Sequence, residues 1–108
     1  MYPSDAVGLQ QLADALTAAG YKPTQDVDMM IRVKIDQMAQ NMVAGTFDWS
    51  LIQPWEKIIL GPDGEIMDGH HRVVAAVLSG CAIPTDQIYP YSGTCYRPVF
   101  AWIDVLPK

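Results

Sequence analysis

Apolar residues recur at three- and four-residue spacing twice in the first half of the chain, and the period then shortens to that of a strand. Leu9, Leu12, Ala13 and Leu16 make one stripe behind Ser4, a capping residue type, and the stripe stops at Gly20 with Pro23 just beyond. The spacing predicts a helix from about Asp5 to Ala19. Thr24 is expected to cap a second helix, with Asp26 and Asp28 at the positive end of its dipole. Val27, Met30, Ile31, Ile35, Met38 and Met42 would form its stripe up to Gly45. A methionine-rich stripe of this kind reads as core.

After a connector from Thr46 to Pro54, Trp55 to Leu60 reads as a strand, Gly61-Pro62-Asp63-Gly64 as a tight turn and Glu65 to Met67 as the return strand. Five polar or glycine residues follow, Asp68-Gly69-His70-His71-Arg72, and then a short apolar helix from about Val73 to Leu78, stopped by Ser79 and Gly80. Cys81 to Tyr96 is expected to be a proline-bearing loop. From Pro98 to Leu106 the residues Val99, Ala101, Ile103 and Val105 alternate with Phe100, Trp102 and Asp104, which predicts a closing strand.

Composition narrows the class. At 108 residues, 50% of them hydrophobic and 18% charged, the chain suits one packed domain and excludes wholesale disorder. Seven basic against twelve acidic side chains leave a formal charge of −5, the wrong sign for gripping nucleic acid by bulk electrostatics, so any phosphate must be held locally. Neither a signal peptide nor a membrane span is legible, and no membrane insertion is expected. Cys81 and Cys95 stand too far apart for a Cys-x-x-Cys element and read as free thiols, with a disulfide between them as the alternative.

The chemistry concentrates between Met67 and Val73. A strand that ends in a glycine turn and opens a helix presents unpaired backbone N–H groups at the positive dipole end, which suits an anion. Gly69 would allow close approach, Arg72 could offer a bidentate fork, and His70 and His71 could supply donors or a proton-transfer group. Adjacent helical residues point about 100° apart, which disfavours joint metal ligation by the two histidines. The structural alternative has one histidine capping the helix and Arg72 paired to Asp68 or Glu65.

These residues, with Leu51-Ile52-Gln53-Pro54 before them and Gly80 and Ile83-Pro84 after, resemble the ParB/sulfiredoxin superfamily from Val27 to about Ile88. The resemblance implies a single small α+β domain: a mixed sheet with a β-hairpin packed against two or three helices, residues 1–23 forming an N-terminal helix and 24–108 the core. His70 stands where sulfiredoxin carries its catalytic cysteine, so peroxiredoxin repair is not expected. The Gly-Glu-Arg-Arg motif of partition ParB is replaced by His70-His71, and no helix-turn-helix segment is legible, so a partition clamp is not expected either. The Asp-Gly-His-His-Arg form is similar to ParB-like toxin domains at the C-terminal ends of secreted bacterial toxins and to ParB-like free-serine kinases.

The toxin branch implies a metal-assisted nuclease, a DNase in the first instance, used in interbacterial competition. Such a domain would be secreted within a larger effector, delivered into the target-cell cytoplasm and blocked by a cognate immunity protein. In that reading His70 or His71 is the general base or acid and Arg72 stabilises charge on phosphate. Gly69, His70, His71 and Arg72 bind the phosphate, while Asp68, with Glu65, holds Mg²⁺ or Mn²⁺. The kinase branch implies a nucleotide-binding phosphotransferase or NTPase using ATP, ADP or CTP, and a non-catalytic anion-docking module is a third reading.

Other residues take lesser roles. Arg32 and Lys34 lie on the second helix, where Arg32 with Asp28 and Asp36 four residues to either side reads as a solvated ion pair, substrate contact being the alternative. Trp49, Trp55 and Trp102 read as core, with stacking on a base as the alternative. Tyr96 and Arg97, with Trp102 and Asp104, could rim a pocket above the helix terminus.

Overall fold

Four α-helices and a three-stranded mixed sheet carry residues 1–108 in the computed structural model, an α+β arrangement. The first helix, α1 (Ala6–Ala18), is capped by Asp5 rather than Ser4: the Asp5 backbone is extended and its carboxylate accepts the Gly8 N–H at 2.7 Å. A carboxylate there satisfies an orphan donor and complements the dipole. At the other end Gly20 takes φ +87°, and the Gly20 and Tyr21 N–H groups turn back to the Thr17 and Leu16 carbonyls. Leu9, Leu12, Ala13 and Leu16 are buried as their spacing predicts.

The second predicted helix begins later than expected. Val27–Met29 makes one 3₁₀ turn, Met30 and Ile31 are extended, and α2 runs only over Arg32–Ala44. Thr24 is not its cap. The Thr24 hydroxyl donates to the Ile66 carbonyl and its N–H to the His70 ring, so tertiary bonds hold residue 24 against the sheet. The buried stripe of α2 accordingly shrinks to Ile35, Ala39 and Met42, with Ile31 half exposed.

The hairpin forms as predicted, with a shorter first strand and a return strand shifted by one residue. β1 (Ile58–Leu60) pairs antiparallel with β2 (Ile66–Asp68), and a register shift falls between Ile59 and Leu60. Pro54–Glu56 is a 3₁₀ turn, where the fixed proline φ suits a first helical position. The turn is closed by Glu65: its Oε1 accepts the Asp63 N–H at 2.7 Å and its carbonyl accepts the Gly61 N–H at 2.7 Å. Gly64 takes φ +86° and packs so closely on the end of α1 that a β-carbon would collide with the Gly20 carbonyl oxygen. Lys22 bridges the two elements, its N–H donating to Gly64 and its carbonyl accepting from Ile66.

A third strand lies inside the expected loop. β3 (Ile88–Pro90) runs parallel to β1, giving the order β2-β1-β3. Ile58 and Ile66 are fully buried under the helices, while Asp68, Ile59 and Tyr89 stand in one row across the sheet, Asp68 and Tyr89 exposed.

α3 (His70–Ser79) buries Val73, Val74, Ala75 and Ala76 and stops at Gly80, φ +71°. The predicted closing strand is instead a single helical turn, α4 (Trp102–Val105). Its alternation fits a strand, but Trp102, Val105 and Leu106 also fit a helix, and these three are the ones buried. Trp102 Nε1 donates to the Tyr21 carbonyl at 2.8 Å, locking the turn onto the end of α1.

Two smaller expectations fail for related reasons. Arg32 pairs with neither Asp28 nor Asp36; its guanidinium lies 5.4 Å over the Tyr2 ring, and Asp36 takes the Tyr2 N–H and the N-terminal ammonium instead. Trp102 is buried and Trp49 packs edge-on against Phe47, but Trp55 is 76% exposed and lies outside the core. Cys81 and Cys95 are free thiols. No helix is long and apolar enough to cross a membrane.

Candidate anion site at the start of α3

The site is built on Gly69. Its φ of +91° is open to glycine and strained for other residues, and a β-carbon there would lie 2.8 Å from Ile58 Cγ1. Glycine therefore serves two purposes at once, reversing the chain after β2 and letting α3 start against the central strand. The Gly69 N–H donates to Asp68 Oδ1 at 2.9 Å. The first-turn N–H groups of α3 point out of the helix with the positive end of its dipole.

Three consecutive side chains then leave the helix in three directions, as the 100° step requires. His70 goes inward and is 1% exposed. Its Nε2 accepts the Thr24 N–H at 2.9 Å, which places the ring proton on Nδ1, a buried donor with no partner. Burial, with His71 and Arg97 nearby, pushes its pKa down from 6.5 to about 4, so the ring is neutral at pH 7. His71 goes sideways to α2, where its Nε2 accepts the Ile31 N–H at 3.0 Å. Burial and the Lys34 charge lower its pKa as well.

The two imidazoles thus fasten the segment from Thr24 to Ile31 onto α3. Both Nε2 lone pairs are engaged, so neither ring in this arrangement has a free nitrogen to take a proton from a bound water.

Arg72 is the residue left over. It lies half-buried beside Gly69 and Ile58, and its Nη1 is buried without a partner. Burial lowers its pKa while Asp68 and Glu56 oppose that. Neither carboxylate closes to an ion pair, since the one pair within 4.0 Å in the chain joins the N-terminus to Asp36. The expected pairing of Arg72 with Asp68 or Glu65 is therefore absent, and a half-buried guanidinium stands without a carboxylate in ion-pair contact.

Asp68 faces an open cleft of about 420 Å³ whose polar rim is Gln25, Asp68, Tyr91, Tyr96 and Arg97 over a floor of Ile59 and Met67. Arg97 is held by a 2.6 Å bond from Nη1 to the Met67 carbonyl and lies 5.9 Å from the Tyr96 ring centre. Gln25 Oε1 is a buried acceptor without a donor. Tyr96 and Arg97 thus rim a cavity with Asp68, one that none of residues 69–72 lines, whereas Trp102 lines a different hollow beside α1 and Asp104 lines neither. Gln25 and Tyr91 escaped sequence reasoning, although three tyrosines between residues 89 and 96 beside Arg97 were a signal.

Glu65 does not join Asp68. Three positions apart along extended chain, the two carboxylates leave opposite sides, and Glu65 is buried on the hairpin turn. No three His, Cys, Asp or Glu side chains cluster where they could hold a metal ion. The donor set does not fit a divalent ion shared by Asp68 and Glu65.

Comparison of the chain with protein-family models, with curated proteins and with solved structures finds no match.

Proposed function

We propose that this domain, of ParB/sulfiredoxin kind, binds the phosphate of a nucleotide, free or within a strand, at the start of α3 and hydrolyses or transfers it. The observation that carries this reading is Arg72: a half-buried guanidinium with an unpartnered Nη1 and no carboxylate in ion-pair contact, beside a left-handed glycine and the positive end of a ten-residue helix. A desolvated cation in that position is stabilised by a bound anion, and phosphate matches its fork.

Within this reading the roles differ from those the motif alone suggests. Arg72 and the α3 N–H groups oppose negative charge developing on the phosphoryl oxygens. Asp68, exposed at the lip of the cleft with Oδ1 on the Gly69 N–H, keeps Oδ2 to accept a proton from an attacking water or hydroxyl. His70 and His71 are positioning residues. The DNase toxin branch, with its immunity partner, remains the version of this proposal that the family resemblance favours, while the fold places no shared ligand pair for its Mg²⁺ or Mn²⁺.

The test incubates the wild-type protein with plasmid, linear DNA, RNA, ATP, ADP and CTP, with and without divalent ions, beside Arg72→Ala and Asp68→Asn. Turnover that both variants lose supports the proposal. No turnover and no binding of any of these at millimolar concentration overturns it. A second reading, a non-catalytic anion-docking module, is favoured by the engagement of both imidazole Nε2 atoms; it predicts binding that Arg72→Ala weakens and no reaction by the wild type.

A further inference from the structure

We infer that the open face of the sheet is a platform for single-stranded nucleic acid, with a base-stacking subsite at Trp55 and Tyr89 next to the phosphate cleft. This inference rests on the proposed phosphate reading and names its substrate class. A second hollow of about 200 Å³, lined by Pro54, Trp55, Lys57, Ile59 and Tyr89, adjoins the cleft, and Ile59 lines both. The two hollows therefore lie side by side on the sheet, with Ile59 between them. Its register is explicit: Ile59 is the neighbour of Asp68 on one side and of Tyr89 on the other. Tyr89 and Tyr91, two residues apart along extended chain, line one hollow each.

The side chains along these two hollows are of the types that bind unpaired bases. Trp55, Tyr89 and Tyr96 are 76%, 61% and 75% exposed, and none of them stacks on another ring. Large aromatic side chains left in water at one face lose little on ordering and offer sequence-tolerant stacking surfaces. Lys57 lines one hollow and Arg97 the other. Two of the seven basic residues of a chain with net charge −5 thus line the two hollows, and Arg72 at the proposed phosphate site makes a third, which suits a few backbone phosphates and not a long charged duplex. A base pair would also hide the flat faces the rings need.

The experiment follows the anisotropy of a labelled ten-nucleotide oligo-dT on wild type, Trp55→Ala, Tyr89→Ala and Arg72→Ala, with competition by unlabelled dTMP and by a ten-base-pair duplex. Trp55 and Tyr89 are exposed, so their removal leaves the core intact. The expected result is oligonucleotide affinity at least tenfold above that for dTMP or duplex, and a loss of oligonucleotide affinity of about tenfold or more in Trp55→Ala. With about three phosphates neutralised, log affinity should fall with log salt at a slope of about −2. If dTMP binds, depends on Arg72 and matches the oligonucleotide, the platform is overturned and the phosphate reading stands. If the duplex binds as well as the single strand, or Trp55→Ala binds like wild type, the platform is overturned too. If neither dTMP nor the oligonucleotide binds, both fall.

Discussion

His70 titrates far from its ordinary range, and the consequence is a measurable acid sensitivity of the fold. In the folded protein its pKa is about 4, against 6.5 for the free side chain, because burial disfavours the imidazolium. Protonation would also turn Nε2 from the acceptor of the Thr24 N–H into a second donor facing it. Between those two values the unfolded chain holds the proton and the folded chain does not. Stability from this group is therefore complete above pH 6.5 and is lost as the pH falls from 6.5 toward 4. A difference of about 2.5 pKa units corresponds to about 3 kcal/mol by pH 4, a large share of a typical domain's stability. At the usual unfolding entropy per residue, 108 residues convert that into a fall in Tm of about 13 °C. His70→Gln is the discriminating variant, since its Oε1 can accept the Thr24 N–H and does not titrate. Thermal melts of both proteins from pH 7.5 to pH 4 share the contributions of His71 and the carboxylates, so the difference between the curves reports His70 alone. Convergence of the two Tm values on acidification supports the assignment. Curves that stay parallel over that range refute it.

Other variants test other contacts. Gly64→Ala should destabilise by about 3 kcal/mol in urea unfolding, since a left-handed φ and a collision with the Gly20 carbonyl act together; a change below about 1 kcal/mol would mean that hairpin and α1 are not in contact there. Arg72→Ala should leave stability within about 1 kcal/mol of wild type, because the guanidinium makes no ion pair, while abolishing phosphate binding in calorimetric titration. A loss of about 3 kcal/mol would identify Arg72 as a structural cation instead. Trp102→Phe removes the donor to the Tyr21 carbonyl and should lower stability by about 1 to 2 kcal/mol in chemical denaturation; no change would argue against α4 being fastened to α1.

The elements legible in the chain are those that local physics specifies. α1 shows a regular stripe with a glycine stop, the hairpin has its turn residues at the right offsets, and α3 is an apolar run closed by Gly80. The elements misread are those where local propensity is weak and a partner decides. Met30 and Ile31 fit a helix by spacing, yet Thr24 and Ile31 each give an N–H to a histidine forty or more residues away, and the helix starts after them. Ile88–Pro90 carries too short a signal to stand out from its loop and becomes a strand because β1 offers a free edge. Trp102 to Leu106 satisfies both periods, and its contacts with α1 select the helical one.

At the candidate site the division is similar. That a glycine turn with an arginine and two histidines opens a helix was plain from residues 68 to 72 alone, because strand, turn and apolar run leave no other place for five polar residues. Their division of labour was not. A helix sends consecutive side chains apart, so His70 meets Thr24 and His71 meets Ile31 while Arg72 makes no hydrogen bond or ion pair, and which one stays without a partner depends on what distant segments bring to each. The hollows beyond Asp68 follow the same logic, since Gln25, Trp55, Tyr89 and Arg97 come to line them only once a parallel strand and a crossing segment have closed around β1. Turn and helix signals are short-range and survive in the one-dimensional chain; the pairing of buried donors with acceptors is long-range, and only the folded geometry settles it.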